Sequence, residues 1–245
     1  EDGGLKRGCN TDLCRCRFAV MNPELTYTLP DYQTQCGCTD IMMHTMERYF
    51  NMSENMELTD GISEALIKTV MKHSKILKER PDCYESRAEV MWASSLSHND
   101  LTGCGTGGGD WACHQLEHEI GGMFDVAHGA GLAAVWGSWA RYVYKARPER
   151  FAKFARNIFN IQETDDEKAA VAGIEAMENY YRSVGMPTSL CELGIHATEE
   201  QIKEMADKCS FYGKRTVGVM KKIGAPEAAE IYRMANDKSI PLYSR

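Results

Sequence analysis

Apolar residues recur every three to four positions along most of the chain after residue 30. This spacing is typical of helices that bury one face against a core. It predicts a helix over 31–51, a second that has Thr59-Asp60 as its cap and ends near residue 78, and a third over 84–98. The glycine-rich stretch 99–110 predicts a loop, because glycine tolerates backbone conformations that other residues avoid.

The second half of the chain combines the same spacing with recognisable helix starts. The segment 130–146 is apolar almost all round, which is typical of a helix at the centre of a core. Pro148 begins a short amphipathic helix. The segments 164–184 and 198–211 each open with a match to the capping box, and a last helix is predicted over 226–236. The fold predicted from these patterns is mainly α.

The first 30 residues follow a different pattern. Two short apolar or β-prone segments, 18–21 and 25–29, are separated by Asn22-Pro23 and closed by Pro30, which predicts two strands or an extended arm. Two strands cannot form a stable sheet by themselves, so the arm needs a partner from elsewhere. The predicted division is therefore a strand arm over 1–30 and an all-helical domain over 31–245.

Composition and charge narrow the classes of function. The 245 residues carry a net charge of −7, which argues against a nucleic-acid or anionic-membrane surface. The apolar stretches are too short to span a bilayer, and the first residues lack the apolar core of a signal peptide. The 10 cysteines form no compact framework and no C-x-x-C pair, which favours reduced thiols and a cytoplasmic protein.

Histidines supply the candidate chemistry. Asp40 and His44 are four residues apart, as are His114 and His118, so the members of each pair project from one face of a helix. With His128, they offer one carboxylate and up to four imidazoles. Three imidazoles and one carboxylate suit a divalent transition metal such as Fe²⁺ or Zn²⁺. The fourth histidine would then be available for proton transfer at neutral pH.

Several segments resemble a known family. DIMMHTMERY, DWACHQLEHEIGGMFDVAHGAG and WGSWARYV are similar to motifs of the iron-containing (group III) alcohol dehydrogenases. The resemblance extends from the first residue almost to the last, including FAVMNPELTYTLP, and points to the branch of NAD(P)H-dependent butanol dehydrogenases and aldehyde reductases. It implies a helical metal-binding domain, with 1–30 as strands left from an α/β dinucleotide-binding domain.

The resemblance also implies a set of site residues. The family pattern is one aspartate and three histidines that hold the metal, which by position are Asp40, His44, His114 and His128. The family's remaining histidine, near the nicotinamide, matches His118 and would shuttle or orient a proton. Of the cofactor contacts, only a rim at Thr28 and Leu29 matches by position.

The implied reaction interconverts an aldehyde and a primary alcohol such as butanol. The metal polarises the carbonyl oxygen, and NAD(P)H supplies the hydride. Family members bind the dinucleotide in an N-terminal α/β domain through a glycine-rich turn after a strand, and no such unit occurs in this sequence. We therefore expect a metal domain that does not bind the cofactor alone, and a homodimer or other association through the exposed arm.

Two other functions are compatible with the same residues. The chain could be a free-standing helical metalloprotein such as a metal-dependent hydrolase, although the adjacent His-Asp pair of one hydrolase class is absent. It could also be a non-catalytic remnant that binds metal or assembles with partners. Binding of NADPH distinguishes the dehydrogenase hypothesis from both alternatives.

Overall fold

Helices make up nearly all of the regular structure. The computed structural model describes residues 5–8 and 11–237, and the prediction of a mainly α fold is confirmed. Among these residues, no helix is both long enough and apolar enough to cross a membrane. The α-helices are α1 (Asp31–Tyr49), α2 (Glu57–Glu79), α3 (Tyr84–His98), α4 (Ala112–Phe124), α5 (His128–Val143), α6 (Pro148–Phe159), α7 (Asp166–Ser183), α8 (Glu199–Cys209) and α9 (Ala225–Asn236).

Of the three helix caps predicted from the sequence, one is present in the structure and two are not. The predicted capping box at Thr198 is formed, with Gln201 as its second member. The predicted box at 164–167 is wrong, because Asp165 is the N-cap of α7 and its carboxylate accepts the N–H of Lys168. The predicted cap at Thr59-Asp60 is also wrong: both residues lie inside α2, which begins at Glu57 without a side-chain cap.

The predicted strand arm is not formed. Within the described part of 1–30, residues 25–26 belong to a 3₁₀ helix, Pro23–Thr26, whose N-cap Asn22 accepts the N–H of Glu24. Residues 18–21 form neither a helix nor a strand. A strand needs a neighbouring strand to pair its backbone N–H and C=O groups. The residues that the structure describes form no sheet that could pair with this segment. The domain boundary at residue 30 stays a prediction.

The core is centred on α5, as its apolar sequence predicts. This helix packs against α1, α4, α7 and α9, and nearly all of its residues are buried. Its Trp139 lies beside Phe50, which stacks on Phe151 with ring centroids 4.3 Å apart. Helices α1 and α4 therefore both lie against α5, and this arrangement brings distant histidines together.

Candidate metal centre

Three helices bring one carboxylate and three imidazoles to the same place. Helix α1 carries Asp40 and His44, α4 carries His114, and α5 begins with His128. The Nε2 atoms of the three histidines lie 3.6, 3.5 and 3.6 Å, respectively, from Oδ1 of Asp40. These four residues, which we call the donor cluster, are the ones that the family resemblance named as ligands.

The donor cluster fits a divalent transition metal. Ligands held about 2.1 Å from a tetrahedral ion are separated from one another by about 3.4 Å, close to the spacings around Asp40. Oδ1 of Asp40 and Nε2 of His114 are buried and have no hydrogen-bond partner. Since buried polar atoms are nearly always paired, two such atoms facing each other fit a cation between them.

A glycine allows α5 to approach α1 at this point. Gly129 follows His128 directly, and a Cβ added there would overlap the carbonyl group of Cys36. Cys36 lies one turn before Asp40 on α1, so this close contact sets the distance between His128 and Asp40. The Gly121-Gly122 pair, which predicts a helix break, instead lies inside α4; the helix ends at Phe124 and is followed by Asp125 in a left-handed conformation.

Burial and mutual charge shift the pKa values of the cluster. Burial would raise the pKa of Asp40, but the contact with His114 and the neighbouring imidazoles lower it to about 2. Burial, followed by the charge of His114, lowers the pKa of His44 to about 3. Burial would lower the pKa of His114, but its contacts with Asp40 and Glu47 raise it to about 9. A carboxylate that stays ionised among imidazoles is the charge pattern that a divalent cation requires.

Two buried glutamates behind the cluster were missed by the sequence interpretation. Glu47 contacts Nδ1 of His114 at 3.0 Å, and Glu117 contacts Nδ1 of His128. Both occur inside the quoted motifs, each three residues after a donor histidine, so they lie about one turn further along the same helix. That spacing is the only sign of their role in the sequence. It does not predict a buried glutamate by itself, because glutamates on helices are usually solvated.

Aromatic rings border the cluster. The ring of Trp111 lies 5.4 Å from that of His44 and 5.2 Å from that of His114. Trp111 has a left-handed φ of 62°, which costs a non-glycine residue about 1–2 kcal/mol. His98, whose position in the sequence does not mark it as a site residue, packs its ring 3.8 Å from that of His44.

The other predicted site residues lie outside the donor cluster. His118 is half-buried on α4, with its ring 5.8 Å from that of His128, and burial lowers its pKa to about 4. The ligand atoms of Asp40, His44 and His114 lie within 4.8 Å of one another, and so do those of Glu117, His118 and His128, which form a second possible metal-binding trio. Thr28 and Leu29 are exposed in the turn that leads into α1.

Similarity to known proteins identifies the family of this chain. The sequence model of the Fe-containing alcohol dehydrogenase family, C-terminal, matches residues 34–235. The chain belongs to this family. The matched span contains the whole donor cluster and both buried glutamates.

Relatives within the iron-containing alcohol dehydrogenases are similar along most of the chain. The NADH-dependent butanol dehydrogenase A of Clostridium acetobutylicum is 36% identical over 230 residues, which are 93% of this chain and 58% of that protein. The NADPH-dependent aldehyde reductase YqhD of Escherichia coli is 32% identical over 219 residues, 89% of this chain and 56% of that protein. The chain therefore spans a little over half the length of these relatives.

A solved structure of the family has the same fold. The NADH-dependent butanol dehydrogenase A of Thermotoga maritima superposes with a TM-score of 0.82 at 36% sequence identity. The superposition covers 88% of this chain and 55% of the Thermotoga chain. The mainly α architecture described above is thus the fold of the corresponding part of that enzyme.

Proposed function

We propose that this chain is the helical metal-binding part of an alcohol dehydrogenase that interconverts aldehydes and primary alcohols with NAD(P)H. The observation that carries the proposal is the convergence of one aspartate and three imidazoles in a chain of this family. Relatives named butanol dehydrogenase and aldehyde reductase support short alcohols and aldehydes as the substrate class. Relatives named for NADH and for NADPH support either dinucleotide as the cofactor.

The proposed ligands of an Fe²⁺ or Zn²⁺ ion are Asp40, His44, His114 and His128. An ion held there supplies Lewis acidity toward an alcohol or aldehyde oxygen. The unpaired Nε2 of His114 and Oδ1 of Asp40 support this assignment, because both point into the centre of the cluster. The rings of Trp111 and His98 both lie beside that of His44, and the indole offers an apolar face to an alkyl chain.

The proposed role of His118 is to accept or orient a proton. It lies one turn beyond His114 on α4, and its lowered pKa keeps the ring neutral at pH 7, the form that accepts a proton. Thr28 and Leu29 are proposed as a rim of the nicotinamide site. The hydride would come from NAD(P)H bound mostly by residues outside this chain, since the aligned region is only 58% of the Clostridium butanol dehydrogenase.

Exposed apolar side chains support association through the N-terminal segment. Phe18, Val20 and Leu25 are 82%, 85% and 78% exposed. Apolar surface of this kind commonly marks a contact with another chain or domain. We therefore propose a homodimer, or a contact with a further part of a longer polypeptide, at this segment, in a cytoplasmic protein.

The proposal is tested by replacing the metal with Co²⁺, whose absorption reports its surroundings. Butanol is expected to change the cobalt spectrum of this chain, because the oxygen of a short alcohol has access to the metal. NADPH is expected to bind too weakly to support reduction of butanal. An unchanged cobalt spectrum would contradict the proposed substrate class. Reduction of butanal with NADPH would contradict the expectation that this chain alone does not bind the cofactor.

The same protein tests the hydrolase alternative. Model esters and phosphate esters are expected to be stable in the presence of the Zn²⁺-loaded chain. Hydrolysis that disappears in His128→Ala would assign a metal-dependent hydrolase instead of a dehydrogenase. His128→Ala also controls for hydrolysis by residual free metal, since it keeps the rest of the chain.

A further inference from the structure

Two buried carboxylates contact the sides of the donor histidines that face away from Asp40. Glu47 of α1 is 2% exposed and Glu117 of α4 is 0% exposed. We propose that they are positioning residues, which hold His114 and His128 in the tautomer and orientation that present Nε2 to a divalent ion. The inference rests on the proposed metal centre and deepens it, because it assigns residues that act on the metal through its ligands.

Glu47 fixes both the ring and the backbone of His114. Its Oε1 accepts the main-chain N–H of His114 at 2.9 Å and lies 3.0 Å from Nδ1 of the same residue. A carboxylate acceptor keeps the proton of a neutral imidazole on Nδ1. The lone pair is then on Nε2, the atom that lies 3.5 Å from Oδ1 of Asp40 and has no other partner.

Glu117 occupies a space that two glycines keep open. A Cβ added at Gly121 would lie 2.8 Å from Oε1 of Glu117, and one added at Gly131 would lie 2.8 Å from its Cγ. Gly121 is on the same helix as Glu117, and Gly131 is on α5, one turn after His128. The packing of α4 against α5 thus leaves room for a carboxylate beside His128, where it contacts Nδ1.

Lys6 forms an ion pair with this carboxylate. Its ammonium donates to Oε2 of Glu117 at 3.0 Å and also lies 3.2 Å from Nδ1 of His128. Once Nε2 of His128 binds an ion, Nδ1 carries a proton, so neither the ammonium nor the imidazole can accept from the other. Glu117 is then the acceptor for both, and its contact with Nδ1 fixes the orientation of the ring.

His44 shows that this arrangement is specific to two of the three rings. Its Nδ1 is buried without a hydrogen-bond partner, and its ring packs against His98. Substitutions of Glu47 and Glu117 should therefore affect the metal through His114 and His128 only.

The test measures the Zn²⁺ affinity of the whole 245-residue chain by competition with a chromophoric chelator. Glu47→Ala and Glu117→Ala are expected to weaken binding about 10- to 100-fold, the usual effect of losing such a partner. Glu47→Gln and Glu117→Gln keep an acceptor oxygen and are expected to lie closer to wild type. The matched control is Glu119→Gln, a buried glutamate of α4 that is held by Arg7 at 2.7 Å and should leave the affinity unchanged.

A second variant displaces the side chain of Glu117 without removing its carboxylate. Gly131→Ala would push the carboxylate away from His128, and it should weaken Zn²⁺ binding in the same direction as Glu117→Ala. The absorption of the Co²⁺-substituted protein reports the orientation and basicity of the rings, so it should change in both alanine variants of the glutamates and not in Glu119→Gln. Thermal unfolding of the metal-free proteins separates these effects from a general loss of structure.

The outcomes distinguish this inference from the proposed function. If the wild-type chain binds no Zn²⁺, the metal centre itself is wrong. If the wild type binds one ion and both glutamate-to-alanine variants bind it within about twofold, only the positioning role is wrong. A loss in Glu117→Gln as large as that in Asp40→Ala would make Glu117 a ligand and would also overturn the inference.

Discussion

Two of the buried polar clusters among the residues that the structure describes differ in how completely their atoms are paired. The first is the donor cluster. The second, which we call the ion-pair cluster, joins α2 to α6: both oxygens of Asp60 accept from Arg150, and Lys153 donates to Oδ2 at 2.6 Å. Arg150 also donates to the carbonyl of Tyr49 at 2.7 Å and stacks on its ring.

This difference in pairing indicates that the ion-pair cluster is structural and that the donor cluster binds a ligand. In the ion-pair cluster the buried carboxylate has several donors and needs nothing further. In the donor cluster, buried atoms of Asp40 and His114 face each other without a partner. Because an unpaired buried polar atom costs about 1–3 kcal/mol, this arrangement is consistent with binding of a ligand and not with stability alone.

Asp60→Ala is expected to have the largest effect on stability. It leaves the buried guanidinium of Arg150 without its carboxylate, which costs about 3–5 kcal/mol. The Zn²⁺ affinity of the folded variant should equal that of the wild type. Chemical denaturation measures the first quantity and chelator competition the second. Weaker metal binding in Asp60→Ala would mean that the two clusters are coupled, contrary to the comparison.

Gly129→Ala should affect the donor cluster through its backbone. The added Cβ would overlap the Cys36 carbonyl, so α5 must move away from α1, at a cost of about 1–3 kcal/mol and with weaker Zn²⁺ binding. Gly37→Ala is the matched control, since an added Cβ meets nothing within 4 Å there. The control should be neutral or stabilising, because alanine favours helix over glycine. Equal metal affinity in the two variants would refute the role of this contact.

Acid should unfold the protein partly through the ion-pair cluster. Burial would raise the pKa of Asp60, but the hydrogen bonds from Arg150 and Lys153 lower it below its ordinary value. A lowered pKa in the folded state contributes stability above the unfolded value of about 3.9, and that stability is lost as the pH falls through the folded pKa. The free energy of unfolding should therefore fall less steeply below about pH 4 in Asp60→Asn. Urea unfolding at several pH values measures this dependence. The same decrease in the free energy of unfolding with pH in wild type and Asp60→Asn would contradict this assignment.

The N-terminal segment should show the smallest effect on stability. Serine at Phe18, Val20 and Leu25 is expected to change the free energy of unfolding by no more than about 0.5 kcal/mol, because these side chains are exposed. Self-association, measured by sedimentation velocity, should decrease. A clear loss of stability with unchanged association would show that the segment packs on its own chain.

Helix spacing made most of the fold predictable, and the sites of failure have physical causes. The periodicity of 84–98 marked α3 correctly, and the hydroxyl of Thr198 marked a true cap. Asp60 was read as part of a cap because local sequence cannot reveal that Arg150, 90 residues later, takes its carboxylate. Strands were predicted at 18–21 and 25–29 because apolar residues interrupted by proline give the same pattern whether or not a sheet is present.

The donor cluster was only partly visible in the sequence. The i,i+4 spacing brought Asp40 together with His44, but it grouped His114 with His118. Only the family resemblance singled out His128 over His118 as a ligand. The packing of α1 and α4 against α5 cannot be read from helical spacing, and for the same reason the role of Glu117 beside His128 emerged only from the structure.

The central claim is that three imidazoles and one carboxylate bind a single ion. X-ray absorption at the zinc edge of the Zn²⁺-loaded chain tests it most directly. The account predicts one zinc per chain, nitrogen and oxygen ligands at about 2.0–2.2 Å, the outer-shell scattering of three imidazoles, and loss of bound zinc in His128→Ala. Absence of bound zinc, a sulfur shell at about 2.3 Å from cysteines, or full zinc content in His128→Ala would contradict it.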